Sequence, residues 1–205
     1  MLDVLWPDRD AAHAIQSLTT LVHVLRQLLS DGLTGEPPVV YRDGGYGLNV
    51  EAGIGVDVAQ FDALANGGAR LLREGNAAAA MRSYQQAVEL YTGDVYTAND
   101  VRALVERERL RSLHLSLLAR LADHSFQTSE YLDALRHALR LLLHDPCRED
   151  AHRLVMRCHV RLGARAQALR QYHVCRQILT REFEACPEPA TEALYTRVRL
   201  EPGSV

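Results

Sequence analysis

Apolar side chains recur at alternating steps of three and four from Ile15 through Leu18, Val22 and Leu25 to Leu29, the spacing that lines one face of an α-helix. Asp10 or a neighbour caps this helix, which is expected to run to about Ser30 with a mostly polar opposite face and to end at Asp31-Gly32. Pro37-Pro38 then bars further helix. The period changes at Val39-Val40-Tyr41, the turn Asp43-Gly44-Gly45 and Tyr46 to Val50, where β-branched and aromatic residues flank a glycine pair. That pattern predicts a short β-hairpin.

From Asp57 onward the pattern is helical throughout. Asp57 is expected to cap a segment carrying Phe61, Leu64, Leu71 and Leu72, Gly75 to break it, and Ala77 to Tyr91 to pack back against it through small alanines. A long helix from about Asp100 to His124 follows, roughly 38 Å at the usual rise per residue, with Leu110, Leu113, Leu117 and Leu121 along one side. Another hairpin covers about Glu149 to Glu184. Pro187 and Pro189 introduce a last helix, Ala190 to Leu200, whose Leu194, Tyr195 and Val198 cover the open end of the array.

These segments repeat. Ala134 and Ala138 are followed 34 positions on by Ala168 and Tyr172, and the same offset carries Ser129 onto Gly163, Leu121 onto Val155 and Ala122 onto Met156. An earlier copy reads Gly75, Ala80, Tyr84, Ala87; Ala80 precedes Ala134 by 54 residues, 20 beyond the regular period, a surplus the long helix absorbs. A repeat of this length cannot bury its apolar face alone, so neighbouring copies stack and the stack offers a surface for another polypeptide. The fold class is therefore mainly α: tetratricopeptide-like helical-hairpin repeats with a C-terminal capping helix, preceded by one helix and a small β-hairpin. Of Tyr84, Tyr91, Tyr131 and Tyr172, Tyr84 and Tyr172 hold the packing position and are expected inside. On the first helices of the hairpins, Arg120, His124, Arg153 and Arg157 are candidates to line a concave groove, offering arginine donors to an acidic or C-terminal carboxylate partner.

Composition narrows the alternatives. The 205 residues are 47 % hydrophobic and 24 % charged, ordinary for a globular chain. All 23 basic residues are arginine, no motif concentrates them, and the net charge is −3. Residues 1–50 hold three arginines against six acids, while the remainder balances at 20 against 20. Cys147, Cys158, Cys175 and Cys186 have no short paired spacing of the zinc-ribbon type and no signal peptide before them, so reduced thiols in the cytoplasm are expected. Cys175 sits at a packing position. No stretch approaches the roughly 20 apolar residues that cross a bilayer, the Leu139 to Leu143 segment being short and interrupted by Arg140.

No metal, cofactor or catalytic centre is expected. His137 with His144, and His152 with His159, lie two helical turns apart, too far for a ligand pair, and His144 beside Cys147 or Cys158 beside His159 meets the same objection. Gly44-Gly45-Tyr46-Gly47 leads into Leu48-Asn49-Val50 and not into a helix N-terminus, so it is a turn and not a phosphate cradle. Neither Gly-x-Ser-x-Gly nor His-Glu-x-x-His occurs, and Glu106 and Glu108 lie in an arginine-rich, solvated helical face.

Several of these pieces together resemble one family. Leu5-Trp6-Pro7-Asp8, Ser17-Leu18 through Leu25-Arg26, Gly44-Gly45-Tyr46 with Leu48, Asp57 with Phe61, Glu106-Arg107 with Leu110, and the alanine–tyrosine repeat positions are similar to the Streptomyces antibiotic regulatory protein family. In that family an OmpR/PhoB-type winged helix precedes a tetratricopeptide-repeat bacterial transcriptional activator domain. The resemblance implies a partial winged-helix segment over residues 1–50, with the recognition helix at about 10–30 and the wing at about 39–50, and an activator domain over residues 57–200. The opening strands and first helix of the winged helix are expected to be missing from this chain.

Where the family commonly carries arginines on the recognition helix, this sequence has Thr19, Val24 and Gln27, and only Arg26 stays basic. Phosphate contacts dominate affinity for DNA, so the acidic N-terminal segment gives up much of the non-specific attraction. By resemblance Gln16, Ser17, Thr20, His23 and Gln27 face base edges, with Arg26 on the same helix and Arg42 reaching a phosphate from the wing. The implied partners are DNA for the complete regulator and a protein, or a second copy, for the repeats; no membrane is implied. A stand-alone tetratricopeptide adaptor that no longer meets DNA is the alternative.

Overall fold

Asp10 opens the first helix by accepting the His13 backbone N–H at 2.9 Å, the bond expected of an N-cap carboxylate. The computed structural model describes residues 6, 8, 10–30, 33, 35–53, 55–94, 101–201 and 203. The expectations resting on Leu5, Pro7, Asp31, Gly32 and Asp100 lie outside the described residues. Two compact units are present, Met1–Ala59 and Gln60–Val205, each described in turn.

In the first unit, α1 spans Ala11–Leu29 and an antiparallel pair follows, β1 (Val39–Arg42) and β2 (Gly45–Leu48). The turn is the two-residue Asp43-Gly44, with φ of 52° and 80°, so Gly45 belongs to the strand and not to the turn as expected. Positive φ at both central residues matches the twist of a tight hairpin. β2 stops at Leu48, short of the expected Val50. There Asn49 turns back, its N–H on Pro38 O at 2.8 Å and its side-chain amide on Pro37 O at 3.1 Å, and Val50–Ala52 winds into a 3₁₀ turn.

The expected apolar face of α1 is only partly the packed one. Ala14 and Val22 are buried and Leu18 is half-buried, whereas Ile15 (54 %), Leu25 (43 %) and Leu29 (37 %) remain exposed. The inward row runs at steps of four, Ala14, Leu18, Val22 and Arg26, because the last of these ties the helix to the hairpin: Arg26 Nε donates to Val39 O at 2.9 Å.

The second unit begins within the first turn of α2 (Asp57–Arg73). α3 (Ala77–Leu90), α4 (Val101–Gln127), α5 (Tyr131–His144), α6 (Glu149–Arg161), α7 (Arg165–Phe183) and α8 (Pro189–Leu200) follow, giving eight α-helices among the described residues. Asp57 is itself the first helical residue, its carboxylate taking the Val58 N–H at 2.8 Å. α4 runs three residues past the expected His124, and α8 starts at Pro189, a residue whose fixed φ suits the first helical position.

Three hairpins, α2–α3, α4–α5 and α6–α7, close with the same turn. Gly75, Ser129 and Gly163 take left-handed φ of 81°, 65° and 73°. The following N–H reaches back five residues each time, Asn76 to Leu71, Glu130 to Ser125 and Ala164 to His159, at 2.7–2.9 Å. This paired-bond C-cap satisfies the carbonyls that end each first helix.

The packing between hairpins repeats as well. One cluster joins Ala122, Phe126, Ala134, Leu135, Ala138, Leu154, Val155 and Cys158; the next joins Met156, Val160, Ala168, Leu169, Tyr172, Leu194, Tyr195 and Val198. The first five residues of each correspond at 34 positions, the last three at 40. α8 therefore sits where the first helix of a further repeat would sit, six residues late because α7 and its exit are longer. Tyr195 stacks on Tyr172 with ring centres 3.9 Å apart, and Arg165 closes the C-terminal end of α8 by donating to Val198 O and Arg199 O. At the other end, Gly68 on α2 lies against Tyr84, Ser83 Oγ donates to Leu64 O, and Arg109 on α4 forks both nitrogens onto Asp62 at 2.9 and 2.7 Å.

Candidate interaction surface on the repeats

The first helices α4 and α6 with α8 bring the predicted arginines of α6 together. A hollow of about 140 Å³ lies between Ala119, Asp123, Asp150, Arg153 and Arg157, with Leu141 and Leu154 at its base. A second, about 200 Å³, is lined by Arg153, Arg157, Ala190, Leu194 and Arg197. Arg153 and Arg157 line both. Arg120 and His124, expected on the same surface, line neither.

The two shared arginines are held differently. Arg153 Nη1 donates to Glu188 Oε2 and to Thr191 Oγ1, each at 2.9 Å, and lies 4.0 Å from Glu149. Glu149 in turn accepts the Glu188 backbone N–H and the Thr191 hydroxyl, the latter at 2.6 Å. This network fastens the start of α8 to α6, so Arg153 is engaged within the fold, contrary to a purely partner-facing role. Arg157 has no such engagement: its guanidinium lies 4.9 Å over the Phe126 ring, and its Nε is buried without a hydrogen-bond partner. Burial raises the Asp123 carboxyl above its ordinary range, with Arg157 acting in the opposite direction.

Arg197 is the member sequence reading missed. It stands 40 positions after Arg157, as Leu194 does after Leu154, but a search at 34 alone passes over it.

On α1, Gln16, Thr20, His23 and Gln27 are exposed and share one face at steps of four, three and four; Ser17 is half-buried. Thr20 Oγ1 donates to Gln16 O at 3.0 Å. Arg26 is spent on Val39 O, and Arg42 lies 3.5 Å from Glu51.

His114, His137 and His152 are buried. His144 faces His114, not His137: the His114 and His144 rings meet edge-on at 5.1 Å, and His114 stacks on Tyr91 at 4.1 Å. His114 is fully buried with neither ring nitrogen hydrogen-bonded, and burial first, then electrostatic repulsion from the neighbouring His144 and Arg140, pushes its pKa down to about 4. Burial and the hydrogen bond to Asp94 push the Tyr91 phenol up to about 12. His152 bridges Pro146 O and the Gln171 amide. Cys158 and Cys175 are buried free thiols raised to about 11 and about 12 by burial, which suits packing and not reactivity. No group of three His, Cys, Asp or Glu side chains placed to hold a metal occurs among the described residues, and no helix among them is long and apolar enough to cross a membrane.

Comparison with known proteins matches residues 56–199 to a family described as the bacterial transcriptional activator domain. Regulatory protein DnrI of Streptomyces peucetius is 26 % identical over 99 % of this chain and 78 % of its own length. Among solved structures, Mycobacterium tuberculosis EmbR in complex with a low affinity phosphopeptide is similar at a TM-score of 0.60, with 19 % identity over 97 % of this chain. The chain spans about half (53 %) of that protein. The tetratricopeptide-containing C-terminal domain of a Plasmodium falciparum FK506-binding protein gives 0.51, with 14 % identity, over 72 % of this chain and 91 % of that one. These two likenesses show the tetratricopeptide-like fold.

Proposed function

The chain belongs to the bacterial transcriptional activator domain family, of the Streptomyces antibiotic regulatory protein type, and from that membership we propose that its helix–hairpin unit contacts DNA while its repeats contact a protein. The family is one of transcriptional regulators and not of enzymes. The observation that carries the reading is the match to a regulator across both units and not across the repeats alone. In this reading Gln16, Ser17, Thr20, His23 and Gln27 meet base edges, residues 1–50 act as part of a winged helix, and residues 57–200 as the effector part. The repeats serve a protein partner or self-association through the surface that Arg153 and Arg157 share.

A salt-titrated mobility-shift assay on the complete reading frame tests the DNA contact. A specific complex that weakens steeply with salt is the expected result, since each neutralised phosphate releases counterions. Absence of any complex at low salt overturns it.

One observation favours the alternative adaptor reading. Arg26 is committed to Val39 O and Arg42 lies beside Glu51, so the two described arginines of the acidic N-terminal segment already have partners. A DNA-free protein that still binds its partner through the repeats is the outcome that reading requires.

A further inference from the structure

Arg157 on α6 and Arg197 on α8 occupy matching places in successive helices and line one hollow of about 200 Å³ with Arg153, Ala190 and Leu194. Among the described residues, neither guanidinium donates a hydrogen bond or forms an ion pair, and the Nε of Arg157 is shut away from solvent with no acceptor. A donor on a charged group withdrawn from water without a partner is destabilising, and an incoming anion relieves that deficit. Arg153 supplies a third guanidinium, held in place by Glu188 and Thr191. The nearby acids are Asp123, which interacts with Arg157, Glu149 and Glu188, which offset Arg153, and Asp150, which Arg148 holds. With Arg153 held by Glu149 and Glu188, Arg157 and Arg197 are the guanidinia at the hollow that no acid pairs within ion-pair distance among the described residues. Ala190 and the buried Leu194 give the hollow an apolar side, which strengthens any charge pairing made beside them.

We propose that this hollow receives an aspartate or glutamate side chain from an acidic peptide segment, its carboxylate forked between Arg157 and Arg197 and its methylenes on Ala190 and Leu194. The inference rests on the reading of the repeats as a protein-binding stack and gives that partner its chemistry. A nucleic-acid track fits the observations less well. Residues 51–205 carry equal numbers of arginines and acids, 20 of each, and the site is one concavity between two helices and not a basic stripe.

The test follows the arginine Nε–H signals of the full ¹⁵N-labelled chain by NMR, assigned with Arg157→Gln and Arg197→Gln. The probe is a capped hexaglutamate peptide; capped hexaglutamine, a pentaalanine with a free C-terminal carboxylate, and a DNA duplex are the comparators. The expected result is a saturable, salt-sensitive shift at Arg157 and Arg197 with hexaglutamate alone. Either substitution weakens it about tenfold, the loss of one charge-assisted bond, while far-UV circular dichroism stays unchanged. Equal response to hexaglutamine, shifts spread over exposed arginines such as Arg181, preference for the pentaalanine carboxylate or for DNA, or affinity untouched by both substitutions overturns the proposal. Partner binding or self-association that persists in the double variant defeats this site and leaves the protein-binding reading standing; its absence from the unaltered chain defeats the reading itself.

Discussion

Gly68 on α2 and Tyr84 on α3 stand so close that a Cβ built on the glycine would lie 2.4 Å from Tyr84 Cε1 and 2.7 Å from Cδ1. The ring is buried on all sides at 1 % exposure and cannot swing away. Gly68→Ala is therefore expected to destabilise the second unit by about 1–2 kcal/mol, overpacking outweighing the better helix propensity of alanine. Gly67→Ala is the internal control. Its Cβ would meet only Ser83 Oγ, at 3.8 Å, so propensity alone acts and stability rises by about 0.5–1 kcal/mol. Urea unfolding of the two variants decides the matter, and like-signed shifts would refute the crossing geometry.

The hairpin turns give a second matched pair. Ser129 holds a left-handed φ of 65° that Gly163 adopts at 73°. An L-residue pays about 1 kcal/mol or more there and glycine does not. Ser129→Gly is expected to raise stability by about 0.5–1 kcal/mol despite losing the 3.3 Å contact from Tyr131 OH. Gly163→Ala lowers it by about 1 kcal/mol. Thermal melts that show no difference in sign between the two would contradict the shared turn.

His114 makes stability depend on pH. Its folded pKa of about 4 lies below the ordinary 6.5, so the folded protein holds it neutral while the unfolded chain protonates it. The stabilisation is complete above about pH 6.5 and is lost as pH falls from there toward 4, amounting to about 3 kcal/mol at the acid end. His137, His152 and His159 are depressed by burial as well and act in the same direction. His114→Phe preserves the stack on Tyr91, and its unfolding free energy is expected to fall about 2 kcal/mol less than that of the parent between pH 7 and pH 4.5. Parallel pH profiles would rule this out.

Arg165 closes α8 from the first turn of α7, donating to the carbonyls of Val198 and Arg199. Arg165→Ala leaves those carbonyls to water and removes a positive charge from a helix C-terminus, a loss of about 1–2 kcal/mol. Amide exchange in α8 accelerating ahead of α6 and α7 is the expected signature. Uniform acceleration along the stack would instead make α8 part of one cooperative block.

The stacked hairpins were legible because each depends on a side-chain volume at a fixed interval. Ala134 and Ala168, or Ala138 and Tyr172, fill equivalent gaps, and Ser129 and Gly163 take the same backbone bend. Gly68 escaped notice since its counterparts Ala122 and Met156 differ in size; only the facing ring explains it. The last helix was legible as a cover, but its offset of 40 hid the kinship of Arg157 with Arg197. On α1, periodicity marked an apolar stripe without saying which edge meets the hairpin, and Arg26 decided that through a main-chain acceptor no pattern of hydrophobicity reveals. The partners that hold Arg153, Glu188 and Thr191, come from a helix far along the chain, so local spacing shows Arg153 only as a groove candidate.

Each first helix ends in the same main-chain arrangement at Gly75, Ser129 and Gly163, built from carbonyls and amides and one left-handed residue. The pitch from one pair to the next is thus governed by the polypeptide backbone and a few small or ring-bearing contacts, not by the outward side chains of α4, α6 and α8. What the molecule displays can drift under selection while the frame that displays it keeps its shape.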